Sequence, residues 1–425
     1  MTFKFKTSLL LAAALFAGCE TYDLERPSEP TRSTAEAELI NRSEVVAVVN
    51  SVDVATELEQ KAARWGYDLK RKESLDGLDL YVLTFDCPPG IDPHVASREL
   101  ERLQPESTVE ANHKYILQTA STSDAQKPSD LVNPTPDLNS SALNASALKT
   151  ANLRLADVRA PRKYANSLIH WPEGGCDALY NIGILDGGVD SAALSGAAST
   201  QIASRAFSMG QALPVAQRHG TAVAEILVGA GRLKNAKLYN AAVMSEDKNG
   251  VQFTGVEPML KALDWMVQSD VRVVNISLAG PYNRTLDRGI QRAVNKGLII
   301  VAAVGNEGAD SEPLYPAALD QVIAATAVDS DGNIYNKAVQ GQHVDVSAPG
   351  VEVFVGDSDT GRYVSGTSIA APFVAAKIAS DARFKTASST KEVLKILSAE
   401  TMDLGVRGPD PVYGSGLIQT QQSCN

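Results

Sequence analysis

Residues 256–304, VEPMLKALDWMVQSDVRVVNISLAGPYNRTLDRGIQRAVNKGLIIVAAV, carry two helical segments and two apolar runs in alternation. Val256, Leu260, Leu263 and Val267 recur at spacings of three and four, which makes one stripe of a helix over 256–268 apolar. The stretches 271–276 and 298–304 are short, unbroken and rich in β-branched residues, the pattern of strands buried on both faces. Between them, 286–295 reads as a second helix. Apolar runs at 182–185, 238–243 and 322–327, with a helical stretch at 221–230, continue the alternation outward. Unbroken apolar strands separated by helices predict an α/β domain, a parallel sheet covered by helices on both faces. Reactive side chains in such a sheet collect at the carboxyl ends of its strands.

Two groups end such strands and two open helices beside the sheet. Asp186 closes the first run, in Gly183-Ile184-Leu185-Asp186-Gly187-Gly188-Val189-Asp190. His219 opens the helical stretch Arg218-His219-Gly220-Thr221-Ala222-Val223-Ala224, and Asn306 ends a strand in Val304-Gly305-Asn306-Glu307-Gly308. Ser368 lies in Gly366-Thr367-Ser368-Ile369-Ala370-Ala371-Pro372, ahead of a small-residue run to Ala382 that reads as a helix. In a first turn, unused N–H groups and the positive end of the helix dipole face outward, so a serine there can attack a carbonyl while its N–H holds the oxyanion. Pro372 is tolerated by its closeness to the helix start. Taken singly, each residue has a duller use: a metal or ribose ligand, a packed or capping histidine, a turn asparagine, a helix cap. Together they give aspartate, histidine and serine in chain order at the edge of one sheet.

On these segments, with Asn275-Ile276-Ser277-Leu278-Ala279-Gly280, residues 151–425 resemble the subtilisin-like serine proteases. The resemblance implies a Ser368 nucleophile, a His219 base, an Asp186 that orients it, and an oxyanion site made by the Asn306 amide and the Ser368 N–H. It implies protein or peptide substrates, held as an added strand along Ser277, Leu278, Ala279 and Gly280, with 302–304 as a second wall and Leu314 on the pocket floor. Ala279 and Leu314 replace glycines common in relatives, which predicts a shallow pocket for small or medium apolar side chains. Glu307, Asp310 and Glu312 could instead draw basic residues to its rim. The reaction requires no cofactor. Many relatives bind structural calcium, but no acidic cluster places a site here. Gly187 stands where Ser or Thr is usual and would leave the aspartate loop looser. A competing reading follows, a catalytically impaired, protease-like surface lipoprotein that binds peptides. An α/β-hydrolase esterase is excluded, because Gly-x-Ser-x-Gly and the order Ser…Asp…His are both missing.

The remainder is organised around that domain. Lys4 and Lys6 precede a 9–17 apolar run too short to cross a bilayer, which predicts a signal peptide over 1–18. Phe16-Ala17-Gly18-Cys19 resembles a bacterial lipobox, implying lipidation of Cys19, export and a cell-envelope lipoprotein. Residues 19–42, rich in Glu, Pro, Ser and Thr, read as a tether. Residues 43–118 give strand, helix, strand, strand, helix, strand, with the last strand over 108–117, a small α+β ferredoxin-like open sandwich. In the family such a unit is a chaperone and inhibitor, and its tail resembles one laid into its own active site. A cut soon after Leu117 would shed the protease from its anchor. Residues 119–150 form a Ser-, Thr- and Pro-rich linker. With 425 residues and a net charge of −11, the chain is an unlikely match for a nucleic-acid backbone, and that partner is excluded. Cys176 and Cys424 are the one pairing available inside the large domain, but three free, buried thiols fit the sequence equally.

Overall fold

The computed structural model describes residues 39–40, 43–117, 164–196, 200–207, 217–247, 250–357, 361–420 and 424. The expected signal peptide over 1–18, Cys19, the expected linker over 119–150 and most of the expected tether lie outside them. Among the described residues the central sheet has nine strands. Across the sheet they are Thr401–Met402, Leu417–Ile418, Val346–Pro349, Ile323–Val328, Ile299–Ala303, Val271–Ile276, Asn181–Asp186, Lys237–Ala242 and Gln201–Ala206. Every neighbouring pair is parallel except the first.

Because side chains alternate along a strand, the unbroken apolar runs feed two separate layers. Ile184, Val273, Val301 and Ala325 face the helices Gln217–Val228 and Thr367–Ala379. Leu185, Val274, Ile300 and Ala324 face Val256–Gln268 and Arg284–Asn295. The helix Thr367–Ala379 is buried at all thirteen positions, which explains its small residues and its lack of a polar face. It begins two residues earlier than its apolar run implies, so Pro372 lies inside it rather than beside its start. The strand Gln201–Ala206 was not legible because it forms an exposed sheet edge with no apolar alternation.

The small domain runs β1 (Glu44–Val49), α1 (Val52–Arg64), β2 (Asp68–Leu75), β3 (Leu80–Asp86), α2 (Pro93–Leu103) and β4 (Thr108–Ala111). Its sheet order is β2-β3-β1-β4, antiparallel throughout. Ser51 caps α1 by accepting from the Val54 N–H, and Asp92 caps α2 ahead of Pro93. Val45, Ala47 and Val49 pack under the two helices, whereas Val46 and Val48 face the large domain. β1 is therefore covered on both sides, which is why its sequence is apolar without alternation.

The expectation of one strand over 108–117 fails. The strand stops at Ala111, and the chain resumes as β5 (Tyr115–Leu117) in another sheet, between Gln252–Thr254 and Leu278–Ala279 of the large domain. Asn112 makes the break. It is fully buried, and its Nδ2 donates to Glu44 Oε2 at 2.8 Å while Asn283 Nδ2 donates to the Ala111 carbonyl at 3.0 Å. The Asn112 N–H still donates to the Glu44 carbonyl at 3.2 Å, so these side-chain bonds anchor the segment as it leaves the β1 ladder. Two described residues ahead of β1 also join this segment: Leu39 bridges His113, and the Ile40 N–H donates to the Asn112 carbonyl.

Charge organises the contact between the domains. Arg284 of the large domain meets Glu101 and Glu110, Lys261 meets Glu73, and Lys296 meets Asp79. One contact is reversed: the buried Glu257 accepts from Arg71 Nε at 2.7 Å and from Thr84 Oγ1 at 2.6 Å. Asp264 receives the N–H groups of Gly77 at 2.7 Å and Leu78 at 3.2 Å, and burial raises its carboxyl above the ordinary range. Cys176 and Cys424 form a disulfide, which closes the alternative left open by the sequence, while Cys87 is free and buried.

Candidate active site

Asp186 ends its strand fully buried, and its Oδ1 accepts the Gly187 N–H at 2.7 Å. The helix carrying His219 comes in close above it. At Gly220 a Cβ would stand 2.7 Å from the Gly187 carbonyl oxygen, so only glycine permits this approach. His219 Nδ1 lies 2.9 Å from both Asp186 oxygens, and its Nε2 lies 3.0 Å from Ser368 Oγ. A carboxylate accepts only, so Nδ1 carries the ring proton and Nε2 accepts from the serine hydroxyl. The structure thus brings Asp186, His219 and Ser368, far apart in sequence, into one hydrogen-bonded line. A nucleophile, a base and an orienting carboxylate at these distances can activate a hydroxyl for attack on a carbonyl.

The Gly187 substitution does not displace this line. Asp190 donates its N–H to Thr221 Oγ1 at 2.9 Å. The Asn240 amide, in the orientation that satisfies both its ends, donates to the Gly187 carbonyl and accepts from the Val189 N–H, each at 3.2 Å. The loop is held by neighbouring side chains, and this geometry gives no support to the competing reading of an impaired, peptide-binding lipoprotein.

Ser368 is fully buried in the first turn of its helix. Beside it, Asn306 Oδ1 accepts from both the N–H and Oγ1 of Thr367 at 3.0 Å, and Thr367 Oγ1 in turn accepts the Gly305 N–H at 3.2 Å. These bonds fix which end of the Asn306 amide is the acceptor, leaving Nδ2 as its donor end. Thr367 was not singled out from the sequence, although its place between the glycine and the serine was the available signal.

Leu278 and Ala279 pair with Leu117 and Ile116 of the tail. Gly280 faces the tail's Tyr115, whose ring comes within 2.7 Å of the position a Cβ would take, and Gly280 is bonded in both directions to Tyr315. Tyr115 is fully buried and donates its hydroxyl to the Pro281 carbonyl at 2.9 Å. Two expectations need correction. The Ser277 side chain faces no substrate groove; it is fully buried and bonded to the Ser368 carbonyl. Residues 302–304 are buried within the sheet and its cores rather than lining an open wall. Leu314 is partly buried and packs across Gly305 beside Asn306. Among the described residues, no group of three or more His, Cys, Asp or Glu side chains is arranged to hold a metal ion. None of the described helices is long and apolar enough to cross a membrane.

Comparison with known proteins agrees with this geometry. Subtilisin DY of Bacillus licheniformis is 32% identical over 215 residues, covering 48% of this chain and 76% of that protein. The minor extracellular protease Epr of Bacillus subtilis is 31% identical over 217 residues, 47% of this chain and 32% of that protein. Among solved structures, fervidolysin of Fervidobacterium pennivorans, a keratinolytic enzyme related to subtilisin, superposes with a TM-score of 0.65 over 93% of this chain and 63% of that one, at 19% identity. The epidermin leader peptide processing serine protease of Staphylococcus aureus superposes with a TM-score of 0.60 over 90% and 98%, at 16% identity. Those last two likenesses speak for the fold alone. The subtilase family model matches residues 180–416, more than half of the chain and the whole span from Asp186 to Ser368. The chain belongs to the subtilase family of serine peptidases.

Proposed function

We propose that this protein is an exported serine endopeptidase made as a self-processing precursor. The observation that carries the reading is the His219 ring, bonded at one nitrogen to Asp186 and at the other to Ser368. Ser368 Oγ attacks the scissile carbonyl as His219 Nε2 takes its proton; that proton then passes to the leaving amine, and water repeats the sequence to free the acyl-enzyme. Asp186 stays ionised throughout, holding the tautomer and stabilising the imidazolium. The Ser368 N–H and Asn306 Nδ2 bind the tetrahedral oxyanion. The chemistry uses no metal or organic cofactor.

The small domain over 43–118 is the propeptide and inhibitor in this reading. Its tail lies as an added strand between two strands of the large domain, the way an extended substrate would bind. Ser368 then cuts the chain shortly after Leu117, within the stretch leading to the linker. Lipidation of Cys19 tethers the precursor to a membrane until that cut. Substrates are proteins or peptides, with small or medium apolar side chains preferred beside the cut. Mass spectrometry of wild type against Ser368→Ala tests the whole scheme. The wild type should lose everything before the cut, and the variant should keep the whole chain from Cys19 onward with a lipid on Cys19. A truncated variant would assign the cut to another protease.

A further inference from the structure

In an α-helix the carbonyl of Ser368 accepts the N–H of the residue four positions on. That residue is Pro372, which has no N–H and whose ring pushes the same carbonyl aside. The helix therefore loses a hydrogen bond at the residue that carries the nucleophile, in a fully buried place where an unpaired carbonyl is costly. A donor arrives from outside the helix: Ser277, just past the strand Val271–Ile276, gives its hydroxyl proton to the Ser368 carbonyl at 3.2 Å.

Asn275 sets the direction of that proton. Its Nδ2 donates to Ser277 Oγ at 2.8 Å, so the hydroxyl already has a donor and must spend its single proton elsewhere. Asn275 is fully buried, and its Oδ1 has no hydrogen-bond partner in the protein among the described residues. Turning the amide over would satisfy Oδ1 with the Ser277 proton, but only by taking that proton from Ser368. The amide keeps the orientation that serves the helix start. On the other flank, Asn306 already holds Thr367. We propose that Ser277, oriented by Asn275, is a positioning residue that replaces the hydrogen bond deleted by Pro372 and fixes the turn presenting Ser368 Oγ and its N–H. The proposal rests on the reading of Ser368 as the nucleophile.

The test is a double-mutant cycle in the full chain: wild type, Ser277→Ala, Pro372→Ala and the double variant, with kcat and KM measured on one chromogenic peptide. Concentrations are those of folded, matured enzyme, the folded fraction read by circular dichroism and the cut fraction by mass spectrometry. Ser277→Ala should lower kcat by about tenfold or more with KM nearly unchanged, because the misplaced groups act on the transition state. Pro372→Ala restores an N–H four residues on, so the double variant should recover to near the rate of Pro372→Ala alone. Losses that simply multiply, or a change confined to KM, overturn the proposal. If Ser277→Ala does not fold, the double variant must fold and be active, and failure of both overturns it too. Ser368→Ala in the same assay keeps the two readings apart: activity surviving there removes the nucleophile assignment itself, whereas a multiplicative cycle with an inert Ser368→Ala removes only the role of Ser277.

Discussion

Tyr115 offers a graded test of whether the tail closes the cleft. Its ring is fully buried against Gly280, and its hydroxyl donates to the Pro281 carbonyl at 2.9 Å. Tyr115→Phe keeps the ring and deletes one hydrogen bond, leaving a carbonyl short of a donor, which costs about 1.4 kcal/mol or roughly tenfold in the closed-to-open ratio. Tyr115→Ala also empties the ring's site and costs about 3–5 kcal/mol, which shifts the closed-to-open ratio further toward open. Both changes belong in the full-length Ser368→Ala background, where the chain cannot be cut. The readout is binding of a labelled peptide copying residues 113–118, followed by fluorescence anisotropy. A competitor sees only the open fraction, so its apparent Kd equals the intrinsic value divided by that fraction. The Phe variant should therefore bind the peptide about tenfold more tightly than the parent, and the Ala variant more tightly still, up to the intrinsic limit. Equal binding by all three proteins would show that the tail does not occupy this cleft, and the inhibitor reading would fail with it.

Three further outcomes follow from the same contacts. Asn306→Ala should cut kcat by a factor on the order of 10² to 10³, the size found for such a donor within this same family, with KM little changed and the fold intact by circular dichroism. Reducing the Cys176–Cys424 bond opens a loop spanning 248 positions, which the chain-entropy account values at up to about 5 kcal/mol; a melting temperature insensitive to reductant would mean that the bond contributes nothing. Burial alone would raise the Asp381 carboxyl, but hydrogen bonds from Arg383 and the charge of Lys377 outweigh it and hold it at about 2. A depressed folded value adds stability above the unfolded value near 3.8, and that stability is lost as pH falls toward 2. Screening by solvent reduces the contribution to about 1 kcal/mol. Asp381→Asn should accordingly flatten the stability curve between pH 4 and 2, as read by urea titration.

The hydrogen-bonded line of Asp186, His219 and Ser368 was legible because the chemistry constrains residue type and the parallel sheet constrains place. Asp186 and Asn306 end apolar runs, while His219 and Ser368 begin helical ones, and only a few side chains can do such work at those points. The small domain was legible for a related reason: its strands and helices alternate cleanly, and Ser51 and Asp92 mark the helix starts. The break within 108–117 was hidden, because Ala111 and Tyr115 flank residues compatible with one long strand. What decides the break is Glu44 taking the Asn112 amide, 68 positions away, and Asn283 donating to the Ala111 carbonyl, 172 positions away. Ser277 was misread from the same cause. Its motif position points toward substrate, whereas its hydroxyl goes to a carbonyl whose usual helix donor is removed by Pro372, 95 positions later. Local pattern carries element type and strand ends; it does not carry which buried donor answers which buried acceptor.

The central claim is that the Ser368 hydroxyl is activated by His219, and the most direct measurement is covalent labelling with a fluorophosphonate after the precursor has matured. Peptide mapping by mass spectrometry should find one adduct, on Ser368, formed at least about a hundredfold more slowly in His219→Ala that immobilised wild-type enzyme has cut in trans and from which it has been removed. No adduct in the matured wild type, or equal labelling in the two proteins, would contradict it.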